Sequence, residues 1–323
     1  MKVVVTGSIA YDYLMSFPGR FAEVIMPDQL QNLSLSFLVD SMKRQPGGNA
    51  PNIAYTMALL GSHPLIMGAA GQDFTEYRAW LDKNGVDTSA IIEIEDDFTA
   101  SFFVNTDLDL NQIASFYTGA MAHASKLTFA EYASDADLAI ISPNDPQTMC
   151  AYTRECKELD IPYIYDPSQQ TIRLTNEELY DGLNGCRLLT VNTYEYHLIQ
   201  DRTGLGDQEI SDRIGGLLVT RGAKGAELII EGQQWQIPVV PAKEIVEPTG
   251  AGDAFRAGMM RGMELGLPWD VAGRMGALAS TYVLEHVGTQ NHHFTPAEFV
   301  ARYRKHFDDQ GALDVLCLPA PQN

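Results

Sequence analysis

The segment Pro248-Thr249-Gly250-Ala251-Gly252-Asp253-Ala254-Phe255 is the most informative part of this 323-residue chain. Gly250 and Gly252 let the backbone turn without obstruction by a Cβ atom, so consecutive N–H groups are free to point at one group of oxygens. The apolar run from Ala254 predicts a helix, and the positive end of its dipole adds to those N–H groups. The segment therefore predicts a tight anion-binding loop with a carboxylate beside the anion.

This pairing of loop and carboxylate fits phosphoryl transfer, which needs donors on the moving phosphate and a group that accepts the proton of the attacking hydroxyl. Gly250, Ala251 and Gly252 would supply the donors, and Asp253 would be the base. Two ordinary interpretations stay open on this segment alone, because Asp often only caps a helix and Gly often only forms a turn.

The charge balance limits what the chain can bind. Lys and Arg number 22 and Asp and Glu number 42, so the formal net charge is −20. A nucleic-acid surface depends on clustered Lys and Arg, and this composition argues against one. The global field does not help a polyanionic substrate either. A phosphate must therefore be bound locally, by backbone dipoles and a few cations.

The composition is that of an ordinary globular protein, with 45% hydrophobic and 20% charged residues. No apolar stretch approaches the roughly 20 residues that cross a bilayer, and Met1-Lys2 leads directly into a strand-like run rather than a signal peptide. The cysteines have no metal-type spacing and are interpreted as reduced thiols: Cys150, Cys156, Cys186 and Cys317. We therefore expect a cytoplasmic location and no membrane partner.

Apolar runs of strand length alternate with segments of helical period. The continuous apolar runs are typical of buried strands and lie at 3–8, 64–68, 138–142, 163–166, 188–191 and 217–220. The helical segments lie at 50–60, 76–83, 145–159, 176–183 and 194–200. Repeated strand–helix units predict an α/β fold with a mostly parallel sheet covered by helices on both faces, and ligands bind at the carboxyl ends of such strands.

Two stretches interrupt this rhythm. Residues 13–45 are too long for an ordinary strand-to-helix loop, and the alternation at 34–39 predicts a half-exposed strand. Residues 99–105 and 112–117 predict a hairpin. We expect a core of residues 1–12, 46–98 and 119–323, and a small β-sheet lid of residues 13–45 and 99–118. The alternative is a pair of surface hairpins without functional importance.

Polar residues follow the first strand and open the first long helix. Ser8 and Asp12 come just after the first strand, where a carboxylate can accept hydrogen bonds from ligand hydroxyls, although a turn or cap role is equally open. Gly48 belongs to a glycine pair that lets a ligand approach the backbone, and Asn52 projects four residues later.

Asn192 and Glu195 lie one helical turn apart after the strand at 188–191. An amide and a carboxylate at this spacing can organise Mg²⁺-bound water and phosphate oxygens, but the same spacing also matches a capping box. After the strand at 217–220 comes a glycine-bracketed turn with two cations suited to a polyphosphate, formed by Thr220, Arg221, Gly222, Lys224 and Gly225.

Taken in order, four blocks carry a family resemblance: Gly-Gly-x-x-x-Asn, Asn-x-x-Glu, Thr-x-Gly-x-x-Gly and Gly-Ala-Gly-Asp. Over nearly its whole length the chain resembles the ribokinase-like (PfkB) kinases. The resemblance implies a three-layer αβα core with a small β-sheet lid, ATP as co-substrate and Mg²⁺. It further implies a homodimer formed through the lid, and the alternating apolar residues at 33–39 permit one. A K⁺ site is also compatible with the family.

Within that family the chain is most similar to bacterial adenosine kinases and related nucleoside kinases, through residues 7–10, 17–21, 35–39, 112–117, 166–170 and 252–258. It departs from the sugar kinases in two places. Glu247-Pro248 replaces the usual Asp-Thr, and Pro248 has no N–H to offer an anion. Gln169-Gln170 ends a segment in which sugar kinases carry an Arg, and this loss fits a neutral nucleoside.

Base recognition is predicted from the lid. Phe102 and Phe116 lie on its two predicted strands and would sandwich a purine, an interaction worth roughly 1–3 kcal/mol per base in nucleic-acid binders. Gln112, Gln169 or Gln170 would bind the purine edge, as Gln does with adenine. The alternative is that both Phe side chains only pack the lid core.

The resemblance implies an ATP-dependent kinase that phosphorylates the 5′-hydroxyl of adenosine or a related purine nucleoside. Asp12 and Asn52 would hold the ribose hydroxyls, with the Gly48 backbone alongside and Ser8 near the base. Two alternatives stay open: a sugar kinase of the same family, and a non-catalytic nucleotide-sensing protein. A nicotinamide dehydrogenase is disfavoured because the first strand–helix junction lacks Gly-x-Gly-x-x-Gly.

Overall fold

Every apolar run predicted to be a buried strand forms a strand of one large sheet. The computed structural model describes residues 1–25 and 34–318. Its strands, in chain order, are β1 Val3–Thr6, β2 Ala10–Ser16, β3 Ser41–Gly47, β4 Leu65–Gly71, β5 Asp87–Ile94, β6 Ala100–Thr106, β7 Gln112–Tyr117, β8 Leu138–Ile141, β9 Tyr163–Tyr165, β10 Leu188–Asn192, β11 Gly216–Thr220, β12 Ala226–Ile230 and β13 Gln233–Ile237.

Within the described residues the large sheet has nine strands in the order β13-β12-β11-β10-β9-β8-β1-β4-β5. The strands from β11 to β5 in that order pair in parallel, and β12 and β13 add an antiparallel hairpin at one edge. The predicted mostly parallel sheet is confirmed, and the carboxyl ends of its parallel strands share one edge.

Helices cover both faces of this sheet, as predicted. They are α1 Phe21–Val24, α2 Asn49–Leu59, α3 Thr75–Lys83, α4 Phe129–Tyr132, α5 Pro146–Glu158, α6 Asn176–Leu183, α7 Thr193–Thr203, α8 Asp207–Ser211, α9 Ala251–Glu264, α10 Trp269–Leu284 and α11 Pro296–Tyr303. Val3 and Val5 pack with α2, α3, α9 and α10, whereas Val4 packs with α4 to α8 on the opposite face. Successive side chains of a strand point to opposite faces, so β1 feeds both cores.

Helix α9 packs unusually close to α10. A Cβ atom on Gly258 would lie 2.6 Å from the carbonyl oxygen of Met275, and one on Gly276 would lie 2.6 Å from that of Phe255. The helix that follows the opening motif is therefore fixed by backbone contact as well as by side chains. Among the described residues, no helix is long and apolar enough to cross a membrane.

A second sheet has the order β3-β2-β6-β7 within the described residues. Here the predicted hairpin forms β6 and β7, but the strand predicted at 34–39 is wrong. The strand beside β2 is β3, and Phe37 instead packs edge-on against Phe17 and Phe21 with ring centroids 5.1 Å apart. Leu33 lies outside the described residues.

This small sheet begins earlier in the chain than the predicted lid. Strand β2 starts at Ala10, so Asp12 belongs to the small sheet rather than to the loop after β1. Asp12 pairs in register with Gln45 on one side and Phe102 on the other. Because neighbours in register share a face, these three side chains point to the same side of the small sheet.

Candidate active site

A cavity of about 500 Å³ lies between the small sheet and the carboxyl ends of the large-sheet strands. It is lined by every residue that the sequence predicts to bind substrate: Ser8, Asp12, Gly48, Asn52, Phe102, Gln112, Phe116, Gln169 and Gln170. Asp253 and Gly250 of the opening motif also line it. The structure thus brings residues from distant parts of the chain to one cavity.

The small sheet presents one face to this cavity. Phe102 and Phe116 are partners in the register of β6 and β7, so their rings lie side by side on that face. They form a platform that would touch one side of a flat ligand, so the predicted sandwich does not fit this geometry. Neither ring is buried in a core; Phe116 is exposed.

Glycines 47 and 48 are required where α2 begins. Gly48 has φ +93°, and a Cβ atom there would collide with the carbonyl oxygen of Ser8. A Cβ atom on Gly47 would lie 2.6 Å from Oδ2 of Asp12. Because neither glycine has a side chain, the Asp12 carboxylate and the backbone stay open to the cavity.

The Asp253 carboxylate is buried and held by two amides of α2. Asn49 Nδ2 donates to Oδ1 at 2.9 Å, and Asn52 Nδ2 donates to Oδ2 at 2.9 Å. On α9 itself, Arg256 Nη1 lies 3.5 Å from Oδ1. These contacts fix the carboxylate at the mouth of the anion loop.

A buried hydrogen-bond relay supports Asn52. Gln290 Nε2 donates to Asn52 Oδ1 at 2.7 Å and to the Tyr77 hydroxyl at 2.6 Å. That hydroxyl donates to the carbonyl oxygen of Gly47 at 3.0 Å. The orientation of the amide beside Asp253 is therefore coupled to the first residues of α2 and the end of β3.

The loop that the sequence predicts to bind an anion turns tightly before α9. Gly250 adopts φ +80° at the N-cap of α9, and a Cβ atom there would lie 2.8 Å from Thr289 Cγ2. The amide of Ala251 donates to the carbonyl oxygen of Pro248 at 3.3 Å, which closes the turn. Gly250 and Gly252 carry amides that the helix itself cannot satisfy, because they stand at its first positions.

A second, wider groove of about 1340 Å³ follows β10 and β11. It is lined by five of the residues predicted to bind ATP: Asn192, Thr220, Arg221, Gly222 and Lys224. Arg221 is paired with Glu227, whereas Lys224 is exposed. Gly225 does not line the groove; its φ of +84° and the approach of the Ile237 carbonyl oxygen give it a structural role.

A profile of the pfkB family of carbohydrate kinases matches residues 3–296 of this sequence. The chain belongs to the pfkB carbohydrate kinase family. A solved relative, the nucleoside kinase of Burkholderia thailandensis in complex with inosine, is 37% identical with a TM-score of 0.85, covering 94% of this chain and 98% of that one.

Two further similar proteins place the chain more broadly. A nucleoside kinase of Methanothermobacter thermautotrophicus is 28% identical over 304 residues, which is 93% of this chain and 95% of that protein. The ribokinase of Thermotoga maritima is 20% identical with a TM-score of 0.78, covering 94% of this chain and 99% of that one. The ribokinase-like fold is therefore confirmed.

In this pfkB-family protein Asn192 and Glu195 form a capping box. Asn192 Oδ1 accepts from the Glu195 amide at 2.8 Å, and Glu195 Oε2 accepts from the Asn192 amide at 2.8 Å. Ser168 donates to the other carboxylate oxygen at 3.3 Å. Each carboxylate oxygen keeps a second lone pair, so the residues also fit Mg²⁺ held through water.

Three carboxylates near the cavity resist ionisation. Burial, with Glu247 and Asp253 nearby, raises the pKa of Asp12 to about 7. Burial raises the pKa of Asp166 to about 7 against the opposing charge of Arg256. The pKa of Asp253 is also raised by burial, while Arg256, Asn52 and Asn49 oppose the shift. Such clustered shifts are typical of functional sites.

The sequence did not single out several residues of this site. Asn49 on α2, Arg256 on α9 and Gln290 in the turn after α10 act on or near Asp253, and the motifs name none of them as a site residue. Arg173 also lines the cavity beside Gln169 and Gln170, although the usual Arg of this segment is absent. The 3₁₀ turn Ser168–Ile172 brings it there.

Replacing Asp12 by Asn should stabilise the fold increasingly as pH rises. The pKa of this carboxyl in the folded protein, about 7, exceeds the ordinary value of 3.8. Its contribution to the free energy of unfolding is therefore fully present below pH 3.8 and is lost as the pH rises through about 7. The difference in free energy of unfolding between Asp12→Asn and the wild type should therefore grow up to pH 7 and then level off. Urea titrations at several pH values measure it.

The matched control is Asp96→Asn, which changes an exposed carboxylate in the turn after β5. Its effect on the free energy of unfolding should be small at every pH. A difference for Asp12→Asn that does not change between pH 4 and pH 7 would contradict the buried, raised state of this carboxyl.

Proposed function

We propose that this protein is an ATP-dependent nucleoside kinase that transfers the γ-phosphoryl group of ATP to the 5′-hydroxyl of a purine nucleoside, with adenosine as the nucleoside that the sequence favours. The observation that carries the proposal is the position of Asp253. Its carboxylate lines the substrate cavity and also belongs to the first turn of the helix whose N-terminal loop would bind the moving phosphate.

The lining of the cavity supports nucleoside binding with two kinds of group. Asp12 and the open backbone at Gly48 suit the ribose, because the oxygens of a carboxyl group accept hydrogen bonds from both hydroxyls. Asn52 has one N–H on Asp253, and the second N–H of its amide is available for a ribose hydroxyl. Phe102 and Phe116 offer the base a flat apolar surface, and Ser8 and the three glutamines offer polar groups for the base.

Chemistry would occur where the two sites meet. Asp253 accepts the 5′-hydroxyl proton as that oxygen attacks, and the amides of Gly250 and Gly252 stabilise the charge that spreads over the phosphoryl oxygens, whereas the Ala251 amide is already bonded to the Pro248 carbonyl oxygen. Asn192 and Glu195 would hold Mg²⁺ through water, which neutralises charge on the ATP phosphates when bound. Closure of the small sheet over the nucleoside would exclude water and limit ATP hydrolysis.

A panel of nucleosides and sugars tests the substrate class. ADP release with Mg-ATP should be fast with purine ribonucleosides, adenosine among them, and slow with ribose and hexoses. Faster turnover of a free sugar would identify a sugar kinase of the same family. Binding of ATP and nucleoside without any product would identify a nucleotide-sensing protein instead.

Replacing Asp253 by Asn should preserve nucleoside binding and lose turnover. The amide keeps the size of the side chain but accepts no proton, so kcat should fall by roughly 10²–10⁴-fold. Calorimetry with the nucleoside and steady-state ADP release separate the two effects. Asp308→Asn, at an exposed position, is the control; near-normal turnover in Asp253→Asn would remove this residue from the role of base.

Replacing Asp12 by Ala should weaken the discrimination between ribonucleosides and 2′-deoxyribonucleosides. The lost carboxylate is the acceptor that distinguishes the two sugars, so kcat/KM should fall more for adenosine than for 2′-deoxyadenosine. The ratio of the two kcat/KM values is the measurement. An unchanged ratio would mean that Asp12 does not contact the sugar.

Several finer expectations stay predictions. A homodimer through the small sheet is supported by large apolar side chains exposed on the face opposite the cavity, among them Met42, Phe103, Ile113 and Tyr117. A K⁺ site and a cytoplasmic location likewise stay predictions.

A further inference from the structure

Arg256 lies one helical turn after Asp253 on α9 and is largely buried, with 12% of its side chain exposed. Its Nη2 lies 2.6 Å from Oδ1 of Asp166, at the end of β9, while its Nη1 lies 3.5 Å from Oδ1 of Asp253. A Cβ atom on Gly252 would lie 2.9 Å from the same Nη1. One guanidinium therefore contacts two buried carboxylates beside the anion loop.

The two contacts are unequal, and this inequality has a chemical consequence. A short charge-assisted bond to Asp253 would stabilise its ionised form so strongly that it would be a poor proton acceptor. Arg256 instead makes its short contact with Asp166 and its longer contact with Asp253. A carboxylate that is ionised but not tightly paired with a cation is what general-base catalysis needs.

We propose that Arg256 is a positioning residue for the base: held by Asp166, it keeps the Asp253 carboxylate ionised in a buried site while leaving it free to accept a proton. The inference rests on the proposed kinase function. It adds a residue that the pfkB motif blocks quoted above do not include.

The surrounding charges make Arg256 necessary. The charged groups near Asp253 and Arg256 on the neighbouring elements are mostly acidic: Asp166 after β9, Glu195 on α7 and Asp12 on β2, which has Glu247 beside it; Arg173 is a further cation in the lining of the cavity. Asn49 and Asn52 contribute neutral donors from α2. Burial raises the pKa of Asp253, and Arg256 is the largest opposing influence.

The test is the pH dependence of kcat at saturating nucleoside and ATP. In Arg256→Gln the acid limb should move to higher pH by roughly 1–3 units, because an adjacent opposite charge lowers a carboxyl pKa by that amount. Turnover should recover at alkaline pH. Arg256→Lys keeps the charge and should return the limb toward the wild-type position.

A second variant predicts the opposite sign. Asp166→Asn releases Arg256 and removes one negative charge, so the acid limb should move to lower pH. The matched control is Arg261→Gln, which removes an equally buried arginine of α9 that pairs with Glu264. Its acid limb should coincide with that of the wild type.

The outcomes separate this inference from the proposed function. A uniform loss of kcat in Arg256→Gln at every pH, or the same limb in the Gln and Lys variants, would overturn the inference. If the wild type phosphorylates no nucleoside, the proposed function fails. The inference is then judged by the ¹³C NMR titration of the Asp253 carboxyl, assigned with Asp253→Asn. The carboxyl should still titrate at higher pH in Arg256→Gln, and an unshifted titration would overturn the inference.

Discussion

The candidate site depends on keeping one carboxylate buried at the start of a helix. Asp253 is buried, so its position requires donors on both oxygens, and α2 supplies them through Asn49 and Asn52. This constraint fixes α2 against α9, and the close packing of α9 on α10 removes the remaining freedom. The Asp253 carboxylate is therefore fixed at the edge of the cavity.

Much of the large sheet follows from local sequence. Continuous apolar runs become its buried strands because parallel strands are covered on both faces. The large sheet also contains three strands that the sequence patterns do not predict: β5, β12 and β13. They lie toward the sheet edges and mix polar with apolar residues, so a test for continuous burial does not detect them. The segment 34–39 fails for the opposite reason, since its alternation serves an aromatic cluster around Phe37.

The residues of the site were predictable where a motif carries the chemistry, and not where a contact crosses the chain. Gly250 was predictable because the tight turn requires a glycine. Asp253 was predictable because phosphoryl transfer requires a proton acceptor beside the phosphate. Gln290 reaches Asn52 across 238 positions of sequence, and the Arg256–Asp166 pair spans 90 positions. The spacing of residues along the chain does not predict such contacts, because they form only when the large sheet brings its strand ends together.

The period of two in the small sheet has a consequence for variation among related chains. Along β2, β6 and β7 the even-numbered side chains such as Asp12, Phe102 and Phe116 line the cavity, and odd-numbered ones such as Phe103 and Tyr117 face outward. Neighbouring residues of one strand are therefore under different selective pressures. Ligand preference and the outer surface can diverge independently by single substitutions, whereas an insertion of one residue within a strand exchanges the two faces beyond it and alters both at once.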